Sequence, residues 1–189
     1  MSAQGQLLGR IISLLDDVAI PHMVVGSLAS SFHGEPRQTR DIDIVIDPEP
    51  DALSRLLELL PPDQLYADAA AAAEALERRT SFNVIEIDTG WKLDLIMRRD
   101  RPFSHEELGR RISVRLLDTD THIATAEDTI VAKLEWATEG QSERQLRDVA
   151  AINDTQADNL DQAYLERWIR ALDLQPAWDR ARQLAARPT

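Results

Sequence analysis

The chain has 189 residues, with 21 lysines and arginines against 33 aspartates and glutamates, and a formal net charge of −12. This length is typical of one domain, or of one catalytic core with a helical extension. The hydrophobic fraction of 43% indicates a globular chain rather than a disordered one. The absence of cysteine excludes a disulfide scaffold, zinc sites with cysteine ligands, iron–sulfur clusters and thiol catalysis.

The net charge and the first residues of the chain bear on the location of the protein and on its binding partners. The start shows periodic apolar residues without a basic leader, and no apolar run approaches the length of a membrane span. We therefore expect a cytoplasmic protein with no signal peptide and no membrane contact. The acidity disfavours a protein that coats duplex DNA, because affinity there comes mostly from neutralised phosphates. Arginines still cluster along the chain, either as a local basic groove or as solvated residues that balance acidic neighbours.

Apolar periodicity predicts mixed helices and strands in the first part of the chain. Helices are predicted over 6–18, 28–33, 49–60, 68–79 and 104–111. Strands are predicted over 22–25, 41–47, 81–87 and 91–97, with a further short strand over 114–117. The turn at 88–90 joins two of these strands into a hairpin, and Ser104 with Glu107 predicts a capping box at the start of the last helix.

From residue 126 onward every segment is predicted to be helical. Thr125 with Asp128 and Ser142 with Gln145 mark two helix starts, and further helices follow over 161–172 and 176–186. Strands in the first part and helices in the second predict an α+β fold. The expected organisation is a catalytic core over 1–122 and a helical C-terminal region over 123–189.

Several common kinds of site are excluded by motif. The four histidines lack the spacing of a zinc site. The chain contains neither the GxxxxGK[ST] phosphate loop nor the GxGxxG dinucleotide turn. The segment 26–30 is not a GxSxG nucleophile elbow, so a hydrolase triad is not supported.

Carboxylates on strands remain as the chemical signal. Asp41 and Asp43 alternate with isoleucines, so both should leave the same face of a strand, roughly 7 Å apart at Cα. Two like charges about 5 Å apart cost about 3 kcal/mol at an effective dielectric constant of about 20, and a divalent cation between them removes that cost. Mg²⁺ prefers such oxygen ligands. The alternative is an amphipathic strand with an acidic, solvent-facing side.

Two neighbouring features strengthen the first interpretation. Gly26 and Ser27 stand between a strand and a helix, where backbone N–H groups and a hydroxyl can donate to a phosphate; the alternative is a tight turn with a serine N-cap. Asp94 interrupts an apolar strand, where an aspartate is costly unless it is paired or bound to a metal. The alternative for Asp94 is an exposed ion pair with Lys92.

Together these residues resemble the DNA polymerase β-like nucleotidyltransferase superfamily. The likeness lies in Gly26-Ser27, the Asp41-Ile42-Asp43 strand thirteen residues (28–40) further on, and Asp94. It implies the nucleotidyltransferase fold, with a small mixed β-sheet flanked by helices and a helical C-terminal half. It also implies that Asp41, Asp43 and Asp94 are catalytic and hold Mg²⁺ or Mn²⁺, while Gly26 and Ser27 hold the phosphates of an NTP.

The second half of the chain looks like the AbiEii-type toxins and their uncharacterised relatives. The likeness rests on 126–128 leading to Lys133, on 144–148, and on the stretch 37–40 before the strand carboxylates. It implies that Arg40, Lys133 and Asp148 bind nucleotide, in a toxin–antitoxin system with an antitoxin partner. From the residues alone, Lys133 beside its helix's apolar stripe could equally be a surface lysine, and Arg144 with Asp148 an i,i+4 ion pair.

The resulting hypothesis is a metal-dependent transfer of a nucleoside monophosphate from an NTP to an acceptor hydroxyl. A tRNA end suits the toxin-like helical half and the arginine clusters, and is favoured. A small hydroxylated antibiotic suits the net acidity, since an acidic cleft attracts cationic acceptors; a protein hydroxyl is a third acceptor class. The alternative of another class is a catalytically silent binding module of a toxin–antitoxin system.

Overall fold

The computed structural model of the chain describes residues 2–39, 41–140 and 142–185. Its helices are α1 (Ala3–Asp17), α2 (Gly26–His33), α3 (Pro50–Leu59), α4 (Ala69–Arg78), α5 (Pro102–Arg110), α6 (Ala126–Gly140), α7 (Glu143–Gln156), α8 (Gln162–Ala171) and α9 (Gln175–Ala185). Its strands are β1 (His22–Val25), β2 (Ile42–Ile46), β3 (Leu65–Ala67), β4 (Ser81–Glu86), β5 (Lys92–Met97), β6 (Ile112–Leu116) and β7 (Thr119–Ile123).

The strands form one seven-stranded mixed sheet with the order β3-β4-β5-β2-β1-β7-β6. The central pair β2 and β5 is parallel, as is β1 with β7, and the other neighbours are antiparallel. A mixed sheet flanked by helices and followed by a helical C-terminal half confirms the predicted fold class. No helix in the described part of the chain is long and apolar enough to cross a membrane.

Strand alternation separates a core face from a polar face. In β2 the side chains of Ile42, Ile44 and Ile46 are buried, whereas Asp43 between them is only half-buried. β5 repeats the pattern, with Leu93 buried and Asp94 half-buried. Because successive side chains of a strand point to opposite faces, burial of the three isoleucines fixes the register of β2. In that register the Asp43 carboxylate points away from the core.

The chain divides into two compact units. One consists of the described residues of Met1–Ser27 and Thr39–Ile123 and contains the seven-stranded sheet. The other consists of the described residues of Leu28–Gln38 and Ala124–Thr189 and is helical. Helix α2 therefore begins in the strand-bearing unit and continues in the helical unit. The boundary at 122/123 stays a prediction about domains.

Within the helical unit, the start of α6 is fixed by a buried polar cluster. Asp128 is fully buried and accepts hydrogen bonds from Thr125 Oγ1, at 2.6 Å, and from the hydroxyl of Tyr164. Its backbone N–H donates to Thr125 Oγ1 at 3.2 Å. The predicted Thr125–Asp128 start is therefore confirmed, and Tyr164 ties α8 to it.

The predicted start of α5 is wrong. The helix begins at Pro102, a residue suited to a first helical turn because its missing N–H is not needed there. Ser104 is buried inside that turn, where its hydroxyl accepts from Arg101 Nε at 3.1 Å. Ser104 and Glu107 thus do not form the expected capping box.

Two strands have no counterpart among the predictions. β3 is only three residues long, and β7 has a polar sequence, TDTHI. β7 pairs with β6 through a turn in which Leu117 and Asp118 have φ of 48° and 68°. Two left-handed residues at the tip favour a hairpin of right-handed twist, and this turn lacks the glycine that usually announces it.

Candidate active site

The site is built on the two central parallel strands. Asp43 of β2 pairs in register with Asp94 of β5, so the two carboxylates leave the same face from neighbouring strands. Asn83 of β4 lies opposite Asp94 on the other side and extends the row. Backbone pairing alone therefore places three polar side chains beside one another.

Gly26 closes this row on the other flank of β2. It follows β1, has φ of +64°, and a Cβ at this position would overlap the carboxylate of Asp43. Glycine is needed here twice, for the left-handed backbone and for the close approach. Ser27 follows it in the first turn of α2, where N–H groups of the backbone lack partners within the helix.

Asp94 forms the ion pair with Lys92 that was one of the two roles considered for it from the sequence, and its environment also bears on the other. Its Oδ1 lies 3.3 Å from Lys92 Nζ, the ion pair expected for an exposed strand face, although the geometry is not that of a hydrogen bond. That oxygen is buried and no described group hydrogen-bonds to it. An oxygen of this kind, next to a second carboxylate, is suited to a cation.

Asp41 stands apart from this pair. It precedes β2, is exposed, and its backbone N–H donates to Thr39 Oγ1 at 3.2 Å. Within the described residues, no group of three carboxylate or imidazole side chains is close enough to hold a metal ion. The structure therefore brings Asp43 and Asp94 together, and Asp41 as a third ligand stays a prediction.

A second charged cluster lies inside the helical unit. Lys133 of α6 donates from Nζ to Asp148 Oδ2 at 2.7 Å and to Gln145 Oε1 at 2.8 Å. Arg37 donates from Nη2 to the same Asp148 oxygen at 3.1 Å. Lys133 is 4% exposed, so the interpretation of it as a surface lysine is wrong.

This cluster, which we call the Lys133 cluster, decides the ionisation of Asp148. Burial by itself would raise the pKa of that carboxyl, but the hydrogen bonds and charges of Lys133 and Arg37 outweigh it and hold the pKa below its usual range. Asp148 pairs with these two cations rather than with Arg144 as the i,i+4 alternative supposed. The cluster is thus a set of compensated charges around the buried Lys133.

The predicted site residues fall into these two sets. Gly26, Ser27, Asp41, Asp43 and Asp94 belong to the strand-bearing unit. Lys133 and Asp148 belong to the helical unit and touch each other there. Arg40 lies outside the described residues.

The sequence analysis did not place Ser30, Arg37, Gln145 or Asn83 among the site residues. Arg37 and Ser30 are separated from Asp148 by 111 and 118 residues, so only the folded chain brings them to it. Gln145 had a local signal, since it lies three residues before Asp148 on the same face of α7. Asn83 also had a local signal, since buried and exposed residues alternate strictly along β4.

Comparisons with known proteins identify the fold. No family model and no curated protein matches the chain. Among solved structures, the antibiotic-resistance factor ANT(2'')-Ia has a TM-score of 0.58 at 14% identity, covering 95% of this chain and 96% of its own. An antigenic nucleotidyltransferase-like protein from Paracoccidioides brasiliensis has a TM-score of 0.58 at 17% identity, covering 94% and 93%. The lincosamide antibiotic adenylyltransferase LnuA has a TM-score of 0.52 at 10% identity, covering 81% of this chain and 97% of its own.

These similarities extend over most of both chains. At such low identities the similarities establish the fold, and the activity has to be argued from the site residues. The chain has the nucleotidyltransferase fold.

Proposed function

We propose that the protein transfers a nucleoside monophosphate from an NTP to an acceptor hydroxyl and releases pyrophosphate. The observation that carries this proposal is the contact between Gly26 and Asp43, with Asp94 in register beside it. The nucleotidyltransferase fold is consistent with this proposal. Within the row, the backbone at Gly26 can receive a phosphate, and the two carboxylates can bind a cation.

The residues of the row suit a divalent cation, Mg²⁺ or Mn²⁺. Asp43 and Asp94 offer hard oxygen ligands from adjacent strands, and the buried Asp94 Oδ1 has no hydrogen-bond donor among the described groups. Asp41 is the proposed third ligand. When bound, the metal neutralises charge on the phosphates and polarises the phosphorus centre.

The chain's own residues then bind and orient the substrates. Ser27 and the backbone amides at the start of α2 donate to the outgoing phosphates, because the backbone N–H groups of a first helical turn point toward a ligand at the helix start. Asp94, whose Oδ1 is buried, holds the acceptor hydroxyl and accepts its proton. Positioning and charge neutralisation supply most of the rate in phosphoryl-type transfers.

We further propose that Arg40, Lys133 and Asp148 contribute to nucleotide binding, as the likeness to the AbiEii-type group implies. Lys133 already donates to Asp148 and Gln145. A phosphate would therefore have to share or displace these partners. The same likeness is the basis for proposing a toxin–antitoxin role with an antitoxin partner.

The pairing of the arginines bears on the acceptor. Several arginines of the clusters that suggested a tRNA groove form ion pairs, among them Arg79 and Arg98 with Asp47, Arg78 with Glu74 and Arg115 with Asp120. This is the balancing role considered for them from sequence. It favours a small hydroxylated acceptor over a tRNA end, and antibiotic-modifying proteins are among the solved structures that share the fold.

The test is incubation with each α-labelled NTP, Mg²⁺, and either total tRNA or a panel of hydroxylated small molecules. We expect label transfer to at least one acceptor, and no transfer with chelator. A tRNA acceptor requires several phosphate contacts and so a steep fall of affinity with salt. A log–log slope near zero would exclude tRNA, and absence of any metal-dependent NTP binding would favour the silent binding module.

A further inference from the structure

The face of the sheet that carries Asp94 continues across β4 and β3 to the sheet edge. Asn83 lies opposite Asp94, and Ile85 lies opposite Lys92. Tyr66 of β3 lies opposite Ile85. Directly paired residues project from the same face, so these side chains form two adjacent rows beside the carboxylates.

The outer part of this face is apolar and exposed. Tyr66 is 56% exposed and Ile85 is 36% exposed. Their strand neighbours Phe82 and Val84 point the other way and are buried at 2% and 0%. The apolar side chains of Tyr66 and Ile85 are thus not needed for the core, and they lie on the reactive side of the sheet.

The distance from the carboxylates sets the size of what could bind. Tyr66 is two strands away from Asp94 and two residues along, which places their Cα atoms roughly 12 Å apart at ordinary strand spacings. A molecule of two or three rings spans this distance. One end would meet Asp94 and Asn83, and the other would lie on the Tyr66 ring.

We propose that Tyr66, Ile85 and Asn83 form the acceptor subsite, and that the acceptor is a compact hydroxylated molecule with a flat, apolar ring face at its far end. This rests on the proposed nucleotide transfer. The Asn83 amide both donates and accepts, which suits a hydroxyl next to the reacting one. Tyr66 and Ile85 supply a ring-sized apolar platform, the usual composition of a small-molecule site.

Other occupants fit this face less well. Even with Ile87, which is 51% exposed just after β4, the exposed apolar side chains offer a few hundred Å² at most, whereas a stable protein interface buries about 800 Å² on each partner. The edge strand β3 has only three residues, too few for a second chain to add a strand of ordinary length. A small molecule that begins at the carboxylates is the occupant that matches the face.

The test compares two probes, phenyl β-D-glucopyranoside and methyl β-D-glucopyranoside, by ligand-observed NMR on the Mg²⁺–ATP-loaded protein. Both present the same ring hydroxyls, and only the first carries a distal flat ring. We expect the phenyl compound to bind about fivefold more tightly, equal to about 1 kcal/mol. Tyr66→Ala should abolish that preference, and Tyr66→Phe should retain it. Leu59→Ala, which removes a side chain 49% exposed on α3, should change nothing.

The outcomes separate the two proposals. Equal binding of both probes to wild type, or a preference that survives Tyr66→Ala, overturns the subsite while nucleotide transfer stands on its own test. Absence of Mg²⁺-dependent ATP binding overturns nucleotide transfer. A phenyl preference in a protein that does not bind ATP would identify a ring-binding surface with no acceptor role, and would overturn this proposal as well.

Discussion

In the strand-bearing unit Asp43 and Asp94 lie side by side and partly exposed, whereas in the helical unit the side chain of Asp148, 11% exposed, pairs with Lys133 and Arg37. The first pair brings like charges together and lacks a compensating donor on Asp94 Oδ1 among the described groups. The second pairs opposite charges in a closed cluster. The first arrangement favours recruitment of a cation, and the second holds helices in register.

This contrast predicts opposite costs of mutation. Removing one strand carboxylate relieves repulsion, since like charges directly opposite one another destabilise a strand pair. Removing one member of the Lys133 cluster leaves a largely desolvated charge with fewer partners of opposite sign. Loss of a strand carboxylate should therefore reduce activity without reducing stability, whereas loss of a member of the Lys133 cluster should reduce stability in addition to any effect on nucleotide binding.

The largest effect is expected for Asp43→Asn. Transfer from a labelled NTP should fall by about 1,000-fold, equal to about 4 kcal/mol, because one of the charges that hold the cation is lost. Thermal stability in metal-free buffer should be unchanged or raised. Unfolding well below the wild-type temperature would show that the carboxylate is structural.

The next effect is expected for Lys133→Ala, and it is on stability. Loss of the ammonium leaves Asp148 with Arg37 as its remaining described cation, at a cost of about 3 kcal/mol in urea unfolding. The matched control is Lys92→Ala, whose side chain is 55% exposed in its pair with Asp94 and should cost less than about 1 kcal/mol. Similar losses for both lysines would contradict the contrast between the regions.

A comparison of two glycine substitutions separates the steric effect of the close approach to Asp43 from the effect of a left-handed backbone. Gly26 and Gly90 have φ of +64° and +70°, but only at Gly26 does an added Cβ meet other atoms. Gly90→Ala should cost about 1 kcal/mol for its left-handed backbone. Gly26→Ala should cost at least about 2 kcal/mol and also abolish transfer, because the carboxylate must move. Equal unfolding free energies for the two variants would remove the steric argument.

The smallest effect concerns acid stability in the helical unit. His33 donates from a ring nitrogen to the carbonyl of Ala124 at 2.7 Å, and burial lowers its pKa, partly offset by that bond and by Glu127. The unfolded chain therefore binds more protons, so stability falls as pH drops below about 6.5 and continues to fall to the folded pKa.

His33→Gln keeps a donor without a titrating charge and should reduce this slope. The reduction should be less than about 1.4 kcal/mol per pH unit, the limit for one proton. Urea unfolding at pH 7 and pH 5 measures it. Identical pH slopes in the variant and wild type would show that His33 does not contribute.

The contrast also explains what sequence could predict. Asp43 and Asp94 could be predicted from the sequence because isoleucines and leucines alternate with them, and a two-residue period of apolar side chains is a local signal of a strand. That β2 and β5 pair in parallel, residue 43 beside 94, is a property of the sheet order. Arg37 reaches Asp148 only through a contact over 111 residues, and β7 follows a hairpin turn without glycine, so neither left a clear local pattern.

The central claim is that the Gly26–Asp43–Asp94 row binds an NTP with a divalent metal. Isothermal titration with ATP, in the presence of Mg²⁺ and then of chelator, tests it directly in wild type and Asp94→Asn. We predict saturable heat in wild type that requires Mg²⁺ and is lost in Asp94→Asn at unchanged thermal stability. ATP binding that is insensitive to both chelator and Asp94→Asn, or no binding at all, would contradict the account.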